Sequence, residues 1–145
     1  MSDETIVIIF GIGGPNKAPL ITPEIREHLQ ANGRTIGEAD HVPVVKLFSP
    51  FSAATWLLTE MMPDDPDVMF GLGDLGMGFP ELGYVSLAEL EAVRGVFGLR
   101  IERDAGFKPA HPLSVYAEAA RSAGAIVEDE AALNKAAAAL AAERK

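Results

Sequence analysis

Residues 42–72, VPVVKLFSPFSAATWLLTEMMPDDPDVMFGL, carry the pattern that decides the fold. This stretch is rich in β-branched, aromatic and other apolar residues, and it is interrupted twice by clusters that contain proline. It predicts three short strands, at Val42 to Ser49, Thr55 to Met61 and Val68 to Leu72. The interruptions, Pro50-Phe51-Ser52 and Pro63-Asp64-Asp65-Pro66, are turn sequences. Because neither is long enough for a helical crossover, we expect the strands to pair antiparallel.

Helices and further strands are predicted on both sides of this stretch. Thr22-Pro23-Glu24 is a helix start, with Thr as the N-cap, and Gly33 ends that helix. Ser86-Leu87-Ala88-Glu89 is a capping box, and it opens a helix that buries Leu87, Leu90 and Val93. The other predicted elements are a strand at Ile6–Phe10, a strand ending at Tyr84-Val85, a strand at Leu99–Arg103, a helix from Pro112 to Gly124 and an Ala-rich helix from Asp129 to Arg144.

These elements predict an α+β fold, with a small, mostly antiparallel sheet and peripheral helices. Residues 1–113 are interpreted as a single domain, and residues 114–145 as a C-terminal helical extension. Trp56, in the middle of a predicted strand, is expected to anchor the core. The Ala-rich helix has a thin apolar stripe, so we expect it to dock loosely; a partner-binding helix is the alternative. The stripe consists of Leu133, Ala137, Leu140 and Ala141.

The composition excludes several kinds of site. The chain has no cysteine, which excludes disulfides, thiolate metal sites and a cysteine nucleophile. Its 12 Lys and Arg against 21 Asp and Glu give a net charge of −9, which disfavours nonspecific binding to nucleic acid or anionic membranes. No signal-peptide pattern and no apolar run of about 18 residues is visible. We therefore expect a cytoplasmic protein that needs no cofactor and contacts neither nucleic acid nor membrane directly.

A glycine cluster matches the sequence pattern of a nucleotide-binding loop but lacks the structural context that such a loop requires. Gly71-Leu72-Gly73-Asp74-Leu75-Gly76 matches G-x-G-x-x-G after a predicted strand. The motif requires a helix to begin there, so that free N–H groups hold the phosphate. Gly78 and Pro80 follow instead, and Asp74 would repel a phosphate. We interpret the cluster as a turn.

Three carboxylates are the weak candidates for a catalytic site. Glu102 and Asp104 are two residues apart in a predicted strand and share one face, and Glu60 is predicted on the face of Trp56. Converging, they would supply the minimum of three oxygen ligands for Mg²⁺ or Mn²⁺. That arrangement would indicate a divalent-metal-dependent enzyme acting on a phosphorylated substrate. The alternative, which we favour, is that Glu102 and Asp104 form ion pairs on a solvated face with Arg94 or Arg100.

The distribution of charge is the most unusual feature of the chain. Between Lys46 and Arg94 there is no Lys or Arg, and there are eight Asp and Glu. A field of one sign steers partners of the opposite sign, although solubility alone is the alternative explanation. The segment favours a non-catalytic protein that binds a basic, nucleic-acid-handling host protein, as a DNA mimic or anti-defence protein. The predicted partner-binding residues are Glu60, Asp64, Asp65, Asp67, Asp74 and Glu81.

Nine short motifs together are typical of one bacterial family. They are Val44 to Pro50, Thr55 to Glu60, Phe70-Gly71, Glu81 to Tyr84, Ser86 to Leu90, Arg94-Gly95, Gly98-Leu99, Ile101 to Asp104 and Phe107-Lys108-Pro109. Through them the chain resembles domain of unknown function 2958 (DUF2958) over roughly Leu20 to Leu113. The resemblance implies a small cytoplasmic domain that is often carried on plasmids, phages and other mobile elements. It implies no activity, and it makes the glycine cluster a β-turn feature of the family.

Overall fold

The computed structural model describes residues 19–144, so the predicted strand Ile6–Phe10 lies outside the described residues. The fold is α+β, as predicted, with a five-stranded antiparallel sheet between helices. The helices are α1 (Pro23–Gly33), α2 (Leu87–Ala92), α3 (Leu113–Ala123) and α4 (Glu130–Glu143), with a short 3-10 turn at Val96–Gly98. The strands are β1 (Val45–Phe48), β2 (Thr55–Met62), β3 (Asp65–Asp74), β4 (Glu81–Ser86) and β5 (Glu102–Arg103). No helix among residues 19–144 is long and apolar enough to cross a lipid bilayer.

The strands lie in the order β4-β3-β2-β1-β5, and every neighbouring pair is antiparallel. β2 and β3 form a hairpin through a two-residue turn at Pro63 and Asp64. The strand predicted at Leu99–Arg103 is only two residues long, and it pairs with the end of β1. Within residues 19–144, β4 and β5 are the edges of the sheet, and β4 is the longer edge.

A β-bulge in β2 changes which face its residues occupy. Leu58 and Glu60 pair with consecutive residues of β3, so Thr59 is an extra residue in β2. Side chains alternate between the two faces of a strand, and the extra residue reverses that alternation. Glu60 therefore lies on the face opposite Trp56. The prediction that Glu60 shares the Trp56 face is wrong.

The Trp56 face is covered by α1 and α2, and Trp56 is buried there as predicted. The two helices begin at the predicted caps. The Thr22 hydroxyl accepts a hydrogen bond from the Ile25 N–H at 3.1 Å, and the Ser86 hydroxyl accepts one from the Glu89 N–H at 3.2 Å. The buried residues that pack around Trp56 include Leu29, Leu47, Leu58, Met61, Met69, Leu87 and Leu90.

The opposite face is covered by α3, and α4 packs against α3. Leu57 and Leu72 of the sheet belong to one buried cluster with Tyr116 of α3 and with Leu133 of α4. Leu133 is only 2% exposed, so α4 is packed into this core rather than docked loosely. Alanine side chains are short, which allows the axes of two helices to approach closely. The division of the chain at residue 113 stays a prediction.

Candidate functional site

The acidic residues of the cation-free segment lie at two ends of the sheet. Asp64 and Asp65 lie at the turn of the β2–β3 hairpin, whereas Glu81 begins β4 at the other end, paired with Gly73. Eight residues of β3 separate Asp65 from Gly73, which corresponds to roughly 26 Å along an extended strand. All three carboxylates are exposed. The predicted partner-binding residues therefore do not form one continuous surface.

Asp67 joins the hairpin to the start of α2. One of its carboxylate oxygens accepts a hydrogen bond from the Ser86 hydroxyl at 2.6 Å, and the other accepts one from the Ala88 N–H at 2.8 Å. Both bonds favour the ionised carboxylate, so the Ser86 hydroxyl and, after it, the Ala88 N–H hold the pKa of Asp67 below its usual range. Asp67 has a role in the fold whether or not a partner binds.

Asp74 is buried, with an exposed fraction of 4%. Its Oδ1 accepts a hydrogen bond from the Gly76 N–H at 2.8 Å, and its Oδ2 accepts one from the Ile126 N–H at 2.9 Å. Gly76 has a φ of 82°, and a Cβ atom there would lie 2.6 Å from the Cβ of Ala53. Asp74 thus fixes the β3–β4 loop and ties it to the connection between α3 and α4. Its burial removes it from the residues that can contact a partner.

The three carboxylates considered as metal ligands do not converge. Glu102 and Asp104 lie at edge strand β5, whereas Glu60 lies two strands away in β2. By strand spacing and register, roughly 14 Å separates the Cα atoms of Glu60 and Asp104. Within the part of the chain that the structure describes, no group of three or more His, Asp or Glu side chains is placed to hold a metal ion.

Asp104 forms its ion pair with a lysine of β1. Its carboxylate lies 3.4 Å from Lys46 Nζ, which also lies 2.5 Å from a carboxylate oxygen of Glu128. Burial alone would lower the pKa of Lys46, but the Glu128 and Asp104 carboxylates outweigh it and raise that pKa. The predicted pairing with Arg94 or Arg100 is replaced, since both of these side chains donate to the Glu91 carbonyl.

The structure shows an apolar groove beside β4 that sequence reasoning missed. The groove has a volume of about 350 Å³, and Trp56, Gly73 and Gly83 contribute to its lining. A Cβ atom on Gly73 would lie 3.3 Å from Trp56 Cδ1, so the glycine leaves the indole edge open to the groove. Three side chains of the β3–β4 loop extend into solvent around it, with exposed fractions of 63% for Leu75, 71% for Met77 and 81% for Phe79. The alternation of large apolar residues with glycine in residues 75–79 was the available signal.

A second, more polar cleft lies where the C-terminal end of α1 approaches β2. It has a volume of about 220 Å³. The bulge at Thr59 places Glu60 in this cleft, opposite its β3 neighbour Phe70. The residues that line the cleft are Asn32, Thr35, Gly37, Ala39, His41, Glu60, Phe70 and Tyr84.

A family model described as "Protein of unknown function (DUF2958)" matches residues 20–127. The chain belongs to the DUF2958 family. The DUF2958 region includes α1 to α3 and all five strands, and it ends in the connection between α3 and α4. It extends beyond Leu113, where the resemblance seen in the sequence ends, and it includes α3, which packs on the sheet. No curated protein and no solved structure matches the chain.

Proposed function

We propose that this DUF2958 protein is a non-catalytic interaction protein, and that it binds a basic, nucleic-acid-handling partner at the β4 side of its sheet. One observation carries the proposal: the apolar groove is lined by residues from a segment of the chain that contains acidic residues and no Lys or Arg. Glu81 lines this groove together with Met77 and Phe79. No Lys or Arg occurs between Lys46 and Arg94.

The groove supplies apolar area that a partner can bury. Exposed apolar patches rimmed by polar residues are typical of interaction sites. Full burial of one large apolar side chain contributes about 1.5–3 kcal/mol. The loop side chains Leu75, Met77 and Phe79 are mostly exposed, as are Leu82 and Tyr84 of β4. Among the strands of residues 19–144, β4 is also at the edge, and an edge strand offers backbone groups that can pair with an extended segment of a partner.

The acidic residues supply selectivity for a cationic partner. Among residues 19–144, no Lys, Arg or His nitrogen lies within 4 Å of the carboxylates of Asp64, Asp65 or Glu81. Charges of one sign that lack counter-charges raise the rate of encounter with a basic surface, and salt screens this effect. Glu81 would contact the bound partner, while Asp64 and Asp65 would act mainly during approach.

We infer further that the partner is a host protein whose cationic groove normally holds nucleic acid. Spaced carboxylates on a folded domain resemble a phosphate backbone in charge, and such a domain competes with DNA for the cationic groove of the partner. A role as a DNA mimic or anti-defence protein would suit the mobile elements that the family resemblance implies. No observation in residues 19–144 favours the metal-dependent enzyme, because Glu60 lies far from Glu102 and Asp104.

Affinity capture from a bacterial lysate, followed by binding measurements with the purified captured protein, tests this proposal. We expect a basic nucleic-acid-handling protein, capture that decreases as salt rises, and release by duplex DNA. The double variant Met77→Ser/Phe79→Ser should weaken binding roughly tenfold or more, because the residues at the centre of an interface carry most of its affinity.

A matched control uses the exposed apolar residues Val96 and Phe97, which do not line the groove. The variant Val96→Ser/Phe97→Ser should bind as the wild type does. Equal weakening by both double variants would show that the groove is not the interface. Salt-sensitive binding of DNA or RNA by the wild-type protein itself would contradict the proposal more completely.

A further inference from the structure

The polar cleft has an aromatic wall. The ring centroids of Phe70 and Tyr84 lie 5.1 Å apart, and the planes of the rings are inclined by 57°. Tyr84 is 64% exposed, so its ring is accessible from solvent. The faces of aromatic rings carry partial negative charge and attract cations, and a planar cation can also stack on them. This wall therefore favours a flat, positively charged group.

Acceptor groups complete the cleft. Among the described residues, no Lys, Arg or His nitrogen lies within 4 Å of the Glu60 carboxylate. The Asn32 side chain donates its amide N–H to the Thr59 carbonyl at 2.8 Å. The oxygen of the same side-chain amide, Oδ1, accepts no hydrogen bond from residues 19–144. α1 ends here with Arg34 as its C-cap, so the negative charge of the cleft comes from Glu60 and not from the helix end.

We propose that this cleft binds the guanidinium group of an arginine on the basic partner. The inference rests on the proposed function, and it adds a specific anchor to the apolar groove. A guanidinium is planar and presents several N–H donors in a fixed fork, so it can stack on Tyr84 while donating to Glu60 and Asn32. A lysine ammonium is a compact point charge that cannot stack in this way. The bulge is the element that makes the site, since it turns Glu60 to the face of Phe70 and Tyr84.

Titrations of the full-length ¹⁵N-labelled protein with small probes test the cleft without a known partner. The probes are two capped tripeptides, acetyl-Gly-Arg-Gly-amide and acetyl-Gly-Lys-Gly-amide, and free L-arginine. The arginine tripeptide should shift the backbone amide signals of Glu60, Phe70 and Tyr84, and it should bind several-fold more tightly than the lysine tripeptide. Free L-arginine has the same net charge as the arginine tripeptide, since its ammonium and carboxylate groups offset each other, so it should bind no more tightly than the tripeptide.

Three variants distinguish binding of the arginine tripeptide in the cleft from binding to the acidic surface in general. Glu60→Gln should raise the Kd of the arginine tripeptide roughly tenfold, since it removes the charge from a charge-assisted hydrogen bond. Tyr84→Leu should raise it severalfold through loss of the aromatic face. Glu91→Gln removes the same charge from an exposed residue of α2 that lines neither the cleft nor the apolar groove, and it should leave the Kd unchanged. Melting temperatures verify that each variant is folded, and Tyr84→Leu keeps the test decisive if Glu60→Gln disturbs the fold.

Equal affinity for the arginine and lysine tripeptides, or equal weakening by Glu60→Gln and Glu91→Gln, would contradict arginine binding in the cleft while leaving the proposed acidic interface standing. Tighter binding of free L-arginine than of the tripeptide would also overturn it, because the site would then take a small molecule. Absence of any probe binding in low salt would overturn it outright. Failure of the captured-protein experiments alone would instead count against the proposed function.

Discussion

Four aspartates of the β2–β3 hairpin divide into two pairs with different roles. Asp67 and Asp74 use both carboxylate oxygens as hydrogen-bond acceptors within the fold. Asp64 and Asp65 are exposed, and within residues 19–144 the Asp65 carboxylate accepts only a local hydrogen bond, from the Asp67 N–H at 3.3 Å. One cation-free segment therefore contains both structural carboxylates and surface carboxylates. A count of charge along the sequence overstates the acidic surface that a partner meets.

The largest expected effect is at Asp74. Replacing it with alanine leaves the N–H groups of Gly76 and Ile126 without their acceptor, and both of these hydrogen bonds are partly buried. A fully buried loss costs about 1–3 kcal/mol, so two partly buried losses in Asp74→Ala should lower the free energy of unfolding by about 2–4 kcal/mol. Urea denaturation of wild type and variant measures this difference. Asp74→Asn is the matched control, and it should lose less because it keeps one acceptor; a loss below about 0.5 kcal/mol for Asp74→Ala would place Asp74 with the surface pair.

A smaller, pH-dependent effect is expected at Asp67. Asp67→Asn keeps one acceptor and loses the charge, so its melting temperature at neutral pH should fall, but by less than that of Asp74→Ala. The folded-state pKa of Asp67 lies below the ordinary value of 3.8. The ionised carboxylate therefore stabilises the fold above pH 3.8, and this contribution is lost as the pH falls through the lower folded-state value. Thermal melts from pH 6 downward should show the wild type and Asp67→Asn converging in acid; a constant difference would contradict the assignment.

The smallest effect is expected at the surface pair. Asp64→Asn/Asp65→Asn should melt at the temperature of the wild type or slightly above it, because the exchange relieves repulsion between like charges. Any gain should vanish in about 1 M salt, where the Debye length is about 3 Å. Thermal melts at low and high salt measure both points. A clear fall in melting temperature would show that these carboxylates also have a structural role.

Local patterns in the sequence were enough to predict most of the fold. The capping residues Thr22 and Ser86 and the proline turns are determined by neighbours a few residues away, and the structure confirms them. The burial of Trp56 is also confirmed; it was predicted from the position of a large apolar residue in the middle of a strand. The extent of β5 and the close packing of α4 depend on contacts between distant parts of the chain. Leu133 is an example, since its burial requires Tyr116 and the sheet to be in place.

The candidate site was less predictable for the same reason. Lys46 pairs with Glu128, 82 residues away, and no local pattern indicates such a pair. Asp74 accepts from the Ile126 N–H, so its burial also depends on a distant connection. The apolar loop at residues 75–79 was visible in the sequence, but its glycines indicated only a turn. The exposure of Met77 and Phe79 was not predicted.

Because of the bulge at Thr59, the effect of deleting one residue from β2 depends on where the deletion falls. Loss of Thr59 itself would remove the bulge and leave Glu60 opposite Phe70 and Met61 opposite Met69, on their present faces. Loss of Leu57, two positions earlier, would preserve the pairing from Glu60 onward only if Leu58 turned away from the Trp56 core and Thr59 took its place. Two deletions of equal size, two positions apart, thus differ in kind: one makes a strand regular, and the other replaces a core leucine with a threonine.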